Sequence, residues 1–285
     1  MGSLQNPLIQ LSASAMMVIP LLSACGGDSG DSGSKSSSLH SVSISGKLAQ
    51  AYVDNATVIA DRIESGSLTG NCQKDSDEEE TRSDENGAFT LSVNYDDYVI
   101  CTKGGRFRKN DGTWEDAAPM MTPAPTSSSS EWNITPLTTL VTTQPELKNE
   151  LDKIGGWNTD IASEKGASSE LIRLAKTVET YWKASKDLIS ETSKELESIK
   201  HLANQINKIR KTSGLNVDND TLQSITSEAL ENTFNDTKII SETNKVGMLK
   251  SINEKLQKTL VKGVFKVPTS GIIIEKEYQN VFDNA

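Results

Sequence analysis

The chain has 285 residues, a formal net charge of −10 and no basic cluster, with 35% hydrophobic and 5% aromatic residues. Neutralising phosphates requires Lys and Arg, so this balance excludes nucleic acid as an expected partner. Two histidines and three cysteines supply few reagents for chemistry. No metal or triad set can be assembled around His40 and His201, and neither an enzyme nor a cofactor is expected.

In chain order, Leu8 to Leu22 is apolar or small and uncharged. A membrane span needs about 20 apolar residues, so this run is short for one but fits the core of a secretory signal. It ends in Leu22-Ser23-Ala24-Cys25, which resembles the lipobox of bacterial lipoproteins. The resemblance implies cleavage of a signal peptide over 1–24, lipid on Cys25 and a membrane as partner. In outer-membrane lipoproteins an Asp after the lipidated cysteine is the usual inner-membrane retention signal. Gly26 stands there, which implies the outer membrane. One departure is that no Lys or Arg precedes the apolar run. Residues 25–39 are mostly Gly, Ser and Asp, a composition that cannot fold and suits a tether.

Lipidation of Cys25 leaves Cys72 and Cys101. In an oxidising compartment an even pair invites a disulfide, the alternative being two buried thiols. Closing that loop would stabilise the chain by roughly 3–4 kcal/mol in the chain-entropy treatment.

Residues 40–106 read as short strands. Val42, Ile44 and Gly46 alternate, as do Val58 and Ala60 after Asp54-Asn55. Asn86-Gly87 turns into Phe89, Leu91 and Val93 on one face, and Tyr98 to Thr102 runs into Gly104-Gly105. Such spacing predicts an antiparallel sandwich. Ser45-Gly46-Lys47, Asp54 to Val58, Ser83 to Leu91 and the closing double glycine resemble the carboxypeptidase-regulatory or prealbumin-like β-sandwich of bacterial surface proteins. That resemblance covers about a quarter of the chain, and it implies a stalk, spacer or adhesion unit without catalytic residues.

The loop after the second strand carries Asp61, Glu64, Asp75, Asp77, Glu78, Glu79 and Glu80. Asp75, Asp77 and Glu79 are candidate calcium ligands, although the glycine of an EF-hand order is missing. A solvated acidic loop is the other reading.

Residues 107–135 hold three prolines and four consecutive serines before the following Asn133, and read as a linker or an ordered excursion across the sandwich. Trp114 and Trp132 within it are candidate sugar-stacking residues, or plugs of an interface. Asn133 to Val141 (NITPLTTLV) resembles a segment that follows the double glycine in the same surface proteins. Thr135 can cap a helix with Pro136 at its first position.

Residues 136–262 read as helical. From Glu170, no Gly or Pro occurs until Gly214. Leu171, Ala175, Val178, Trp182, Ser185, Ile189, Thr192, Leu196, Ile199, Ala203 and Ile206 recur at steps of three and four, which predicts one long helix of roughly 60 Å. Ser168 or Ser169 caps it, and Asp218 or Asp220 caps the next helix. Leu249, Ile252 and Leu256 mark a third. Residues 263–285 contain two strand-like stretches, which either return to the sandwich or are offered to a partner.

The expected fold class is α+β: a small antiparallel β-sandwich followed by an all-α antiparallel helical bundle with one long helix. The expected function is a lipid-anchored envelope protein in a structural, adhesion or assembly role, with an envelope protein or a second copy as partner. The alternative is a carbohydrate- or calcium-binding surface module.

Overall fold

The structure is a computed structural model that describes residues 41–63, 67, 69–109, 112–126, 131–163, 167–186, 189, 194–215, 217–236 and 246–262. Cys25, the tether, His40, Glu64, Thr192 and the expected strands over 263–285 lie outside the described residues. The described residues belong to one compact unit, and among them the architecture is α+β, with small antiparallel sheets and six helices.

Strand β1 (Val42–Lys47) pairs antiparallel with β4 (Ala88–Val93), Ile44 facing Leu91. The turn into β4 is fixed by Asp84, whose carboxylate accepts the main-chain N–H groups of Asn86 and Ala88 at 2.9 Å. A second sheet has the order β3-β2-β5-β8, from β2 (Thr57–Arg62), β3 (Glu79–Arg82), β5 (Tyr98–Lys103) and β8 (Met121–Pro123). A hairpin of β6 (Arg106–Arg108) and β7 (Trp114–Asp116) completes the β part.

The four-stranded sheet is covered on both faces. Val58, Ala60, Tyr98 and Ile100 pack against Ile44, Phe89, Leu91 and Val93 of the two-stranded sheet. Val99, Cys101 and Met121 face the other way, into a core shared with the helices. Four consecutive buried residues in β2 (Val58 to Asp61) and five in β5 (Tyr98 to Thr102) follow from this middle position.

The linker reading of 107–135 is corrected by its described residues. They supply β7, β8 and a stretch beside β1, where Trp132 N–H donates to the Ser45 carbonyl at 2.9 Å and Ile134 N–H to that of Lys47 at 2.8 Å. The physical reason is that Ala118, Met120, Met121 and Ile134 are apolar enough to be buried, in spite of the prolines between them.

Helix α1 (Pro136–Thr143) is buried along its whole length. Thr135 caps it, accepting from Leu137 and Thr138 N–H, and the Thr138 hydroxyl accepts the Thr135 N–H in return. Thr139, Thr142 and Thr143 satisfy their hydroxyls on carbonyls one turn back. Thr138 also donates to the Met121 carbonyl at 2.6 Å, and Thr139 accepts the Met121 N–H at 2.9 Å. These two threonines thus cover the open edge of β8, which would otherwise present unpaired main-chain groups.

A 3₁₀ turn (Pro145–Leu147) and α2 (Lys148–Lys153) lead to the bundle. Its helices are α3 (Ser169–Ser185), α4 (Glu195–Ser213), α5 (Asn219–Asn235) and α6 (Val246–Lys262). Ser168 caps α3 and Asp218 caps α5. The single long helix is therefore corrected to two, α3 and α4, packed against each other. Between residues 185 and 193 the sequence is rich in Ser, Thr and Asp, which hydrogen-bond the backbone in non-helical conformations and favour helix ends. Packed together, α3 and α4 let the two halves of the apolar seam bury one another, with Ser185 bonded to Ser198 at 3.1 Å. Tyr181, fully buried, reaches Thr233 of α5 at 2.7 Å. Helix α3 is tied to the β part by Lys176, whose ammonium donates to the Gln50 carbonyl at 3.2 Å and pairs with Glu179 at 2.9 Å.

Candidate functional site

A buried polar arrangement grows from β2. Its apolar run Val58-Ile59-Ala60 continues into Asp61, which is only 1% exposed. Ile59 is in register with Cys101 of β5, and Asp61 with Val99. The chain after β2 returns over this face and places Cys72 at disulfide distance from Cys101, with Cα atoms 5.6 Å apart and the sulfurs bonded. Cys101 is fully buried and Cys72 half-buried.

Asp61 sits against that disulfide. Its Oδ2 accepts the Cys72 main-chain N–H at 2.6 Å and lies 3.7 Å from the Cys101 sulfur. Gly70 packs so closely on the carboxyl that a Cβ there would lie 2.1 Å from Oδ2. Burial pushes the Asp61 carboxyl up to about 6; the Cys72 N–H opposes this, and Glu78 adds to it, both by its charge and by a hydrogen bond between the two carboxyl groups. Glu78 is itself buried and accepts Arg62 N–H at 2.8 Å and Asp75 N–H at 2.9 Å. Cys72 has φ +53°, in the left-handed region that non-glycine residues enter at a cost.

Two clefts flank the loop that carries Cys72. One, of about 350 Å³, is lined by Cys72, Gln73, Gly104, Asp116, Trp182 and Glu195 among others. The other, of about 290 Å³, lies between Gly70, Cys72 and Gln73 on one side and Lys194, Glu197 and Lys200 on the other. In the first cleft Trp182 N–H donates to Glu195 at 2.7 Å, and burial pushes the Glu195 carboxyl above its ordinary value.

The expected calcium ligands are not brought together. Asp75, Asp77 and Glu79 are all exposed, and Asp77 pairs with Arg62 at 3.2 Å. Among the described residues, the group of ligand atoms close enough to share a metal ion is instead Asp61, Cys72 and Cys101, within 4.8 Å of one another. With the sulfurs joined, that group offers no thiolate to a metal.

The two tryptophans have different settings. Trp114 is exposed, at 46%, with the Arg106 guanidinium 4.4 Å above its ring. Trp132 donates its indole N–H to the Pro123 carbonyl at 2.7 Å and meets Trp157 edge-on at 5.4 Å. It plugs the joint between sheet and helices. His201 contacts Asp236 at 3.1 Å, a pairing that links α4 to the end of α5.

Sequence reasoning named Asp61 only as one acid of a loop. The signal for its burial was its place at the end of an unbroken apolar run, two residues from Ile59 and so on the same face. No family model matches the chain, and neither a curated protein nor a solved structure matches it.

Proposed function

We propose that this chain is an exported bacterial lipoprotein, anchored to the outer membrane by lipid on Cys25, whose body has a structural, adhesion or assembly role. The observation that carries the reading is the order Leu22-Ser23-Ala24-Cys25, then a Gly/Ser/Asp run, then a compact unit that begins at Leu39. A disulfide in the body fits export, since such bonds persist in oxidising compartments. No described helix is long and apolar enough to cross a membrane, and lipid would hold the chain there by itself. Two or more acyl chains, at roughly 0.8 kcal/mol per buried methylene, make a stable anchor.

The prealbumin-like resemblance supports a spacer or adhesion unit, and the buried, fully bonded hydroxyls of α1 support a supporting rather than a catalytic role for its threonines. The test is metabolic labelling with a fatty-acid analogue. Wild type should take up label and sediment with membranes, and Cys25→Ser should do neither.

A second reading, a carbohydrate-binding module, has the exposed Trp114 in its favour. An aromatic ring open to solvent beside a cation can stack on a sugar. Glycan-array binding lost in Trp114→Ala would favour it, whereas a stable protein partner in membrane pull-downs favours assembly.

A further inference from the structure

We infer that the Cys72–Cys101 bond is a thiol-exchange site, with Cys72 the sulfur attacked and Asp61 the proton donor to Cys101. The inference goes beyond the lipid anchor and does not rest on it.

The geometry distinguishes the two sulfurs. Both clefts are lined by Cys72 and neither by Cys101, and Cys101 is fully buried. An incoming thiol therefore meets Cys72. The sulfur that leaves is Cys101, and the atom beside it is Asp61 Oδ2, at 3.7 Å. A staple alone needs neither an accessible sulfur nor a buried acid against the inner one.

The co-reactant is a dithiol. Its thiolate attacks the Cys72 sulfur, forming a mixed disulfide as the Cys72–Cys101 bond breaks. The Cys101 sulfur leaves with the bonding pair and takes the proton of the Asp61 carboxyl. The second thiol of the reagent then displaces Cys72, so the dithiol ends oxidised to a disulfide and both cysteines end reduced. In the reverse direction the Asp61 carboxylate accepts the Cys101 proton.

The charged group acting on Asp61 is Glu78, ahead of β3; Arg62, next on its own strand, is paired with Asp77 and lies over the Tyr95 ring. Helix α4 presents Glu197 and Lys200, with Lys194 at its cap, to the adjoining cleft. Strand β5 brings only Val99 and Cys101 to this position. Above the titration of Asp61 its negative charge opposes a thiolate on Cys101, and below it the neutral acid assists.

The experiment is reduction of the purified full chain by dithiothreitol between pH 4.5 and 8.5. Alkylation is counted at Cys72 and Cys101 by peptide mass, and rates are referred to the thiolate concentration. Wild type should slow by about tenfold as pH rises through 6, within the range of general-acid assistance. Asp61→Asn should lose that step, being slower than wild type at pH 5 and faster at pH 8. Rates shifted by one common factor at every pH would overturn the proposal. So would wild-type reduction that tracks global unfolding in low urea, a measurement that needs no variant.

Discussion

The indole N–H of Trp182 donates to the Glu195 carboxylate at 2.7 Å, joining the end of α3 to the first turn of α4. The bond spans two helices that pack against each other, so it reports directly on that packing. Trp182 is 3% exposed, and Phe in its place would leave the carboxylate without its donor and open space in the core. Trp182→Phe should cost about 1–3 kcal/mol, read as a lower urea midpoint. An unchanged midpoint would argue against the packed α3–α4 pair.

Asp61 gives the body a pH dependence whose sign is fixed. Its carboxyl is raised to about 6 from an ordinary value of 3.8. The folded state therefore holds the proton more tightly than the unfolded state. The contribution to stability is fully present below about pH 4 and lost as pH rises through 6. Relative to wild type, Asp61→Asn should gain about 2 kcal/mol in unfolding free energy between pH 4 and pH 8. Urea titrations at the two pH values measure it, and a constant difference contradicts it.

Gly104 and Gly105 separate two reasons for glycine. Both have positive φ, +66° and +82°. A Cβ on Gly104 meets nothing within 4 Å, whereas one on Gly105 would lie 2.6 Å from the Ala56 Cβ. Gly104→Ala should cost about 1 kcal/mol, from conformation alone. Gly105→Ala should cost about 1–3 kcal/mol more, because Val53 and Ala56, ahead of β2, must shift. Thermal melts of the pair decide it, and equal losses would contradict the packing described.

Thr138 tests the join between α1 and the sheet. Its hydroxyl accepts from Thr135 N–H and donates to the Met121 carbonyl. Thr138→Val keeps the shape but leaves the buried Thr135 N–H without its acceptor and the Met121 carbonyl with only the longer 3.4 Å contact from Thr139, at a cost of about 1–3 kcal/mol. Thr138→Ser should retain most of the stability. A Val variant as stable as the Ser variant would show the bonds to be idle.

Much of this fold was legible in local pattern. The alternation in β1 and β4, Thr135 as a cap, Ser168 and Asp218 as helix starts and Gly214 as a stop all act within a few residues, where sequence and conformation are tightly coupled. What was not legible is non-local. Val58-Ile59-Ala60 and Tyr98 to Cys101 are unbroken apolar runs, a sign of burial on both faces, but alternation in the neighbouring strands pointed to a two-layer sandwich. The seam from Leu171 to Ile206 fits one helix or two that face each other, and only tertiary packing chooses between them. Met120-Met121 lay among prolines and serines that signal loops, although its side chains are core. For the candidate site, the cysteine pair followed from counting, whereas the position of Asp61 against it required the return of the chain after β2.

Tethering of the body through Cys25 can be read from the intact mass of the protein extracted from membranes with detergent. The mature protein should begin at Cys25 and carry the added mass of a diacylglycerol, with a further acyl group on its amine. Cys25→Ser should yield only the unmodified, uncleaved chain. A wild-type mass equal to the full 285-residue sequence, or to a chain cut elsewhere without lipid, would contradict it.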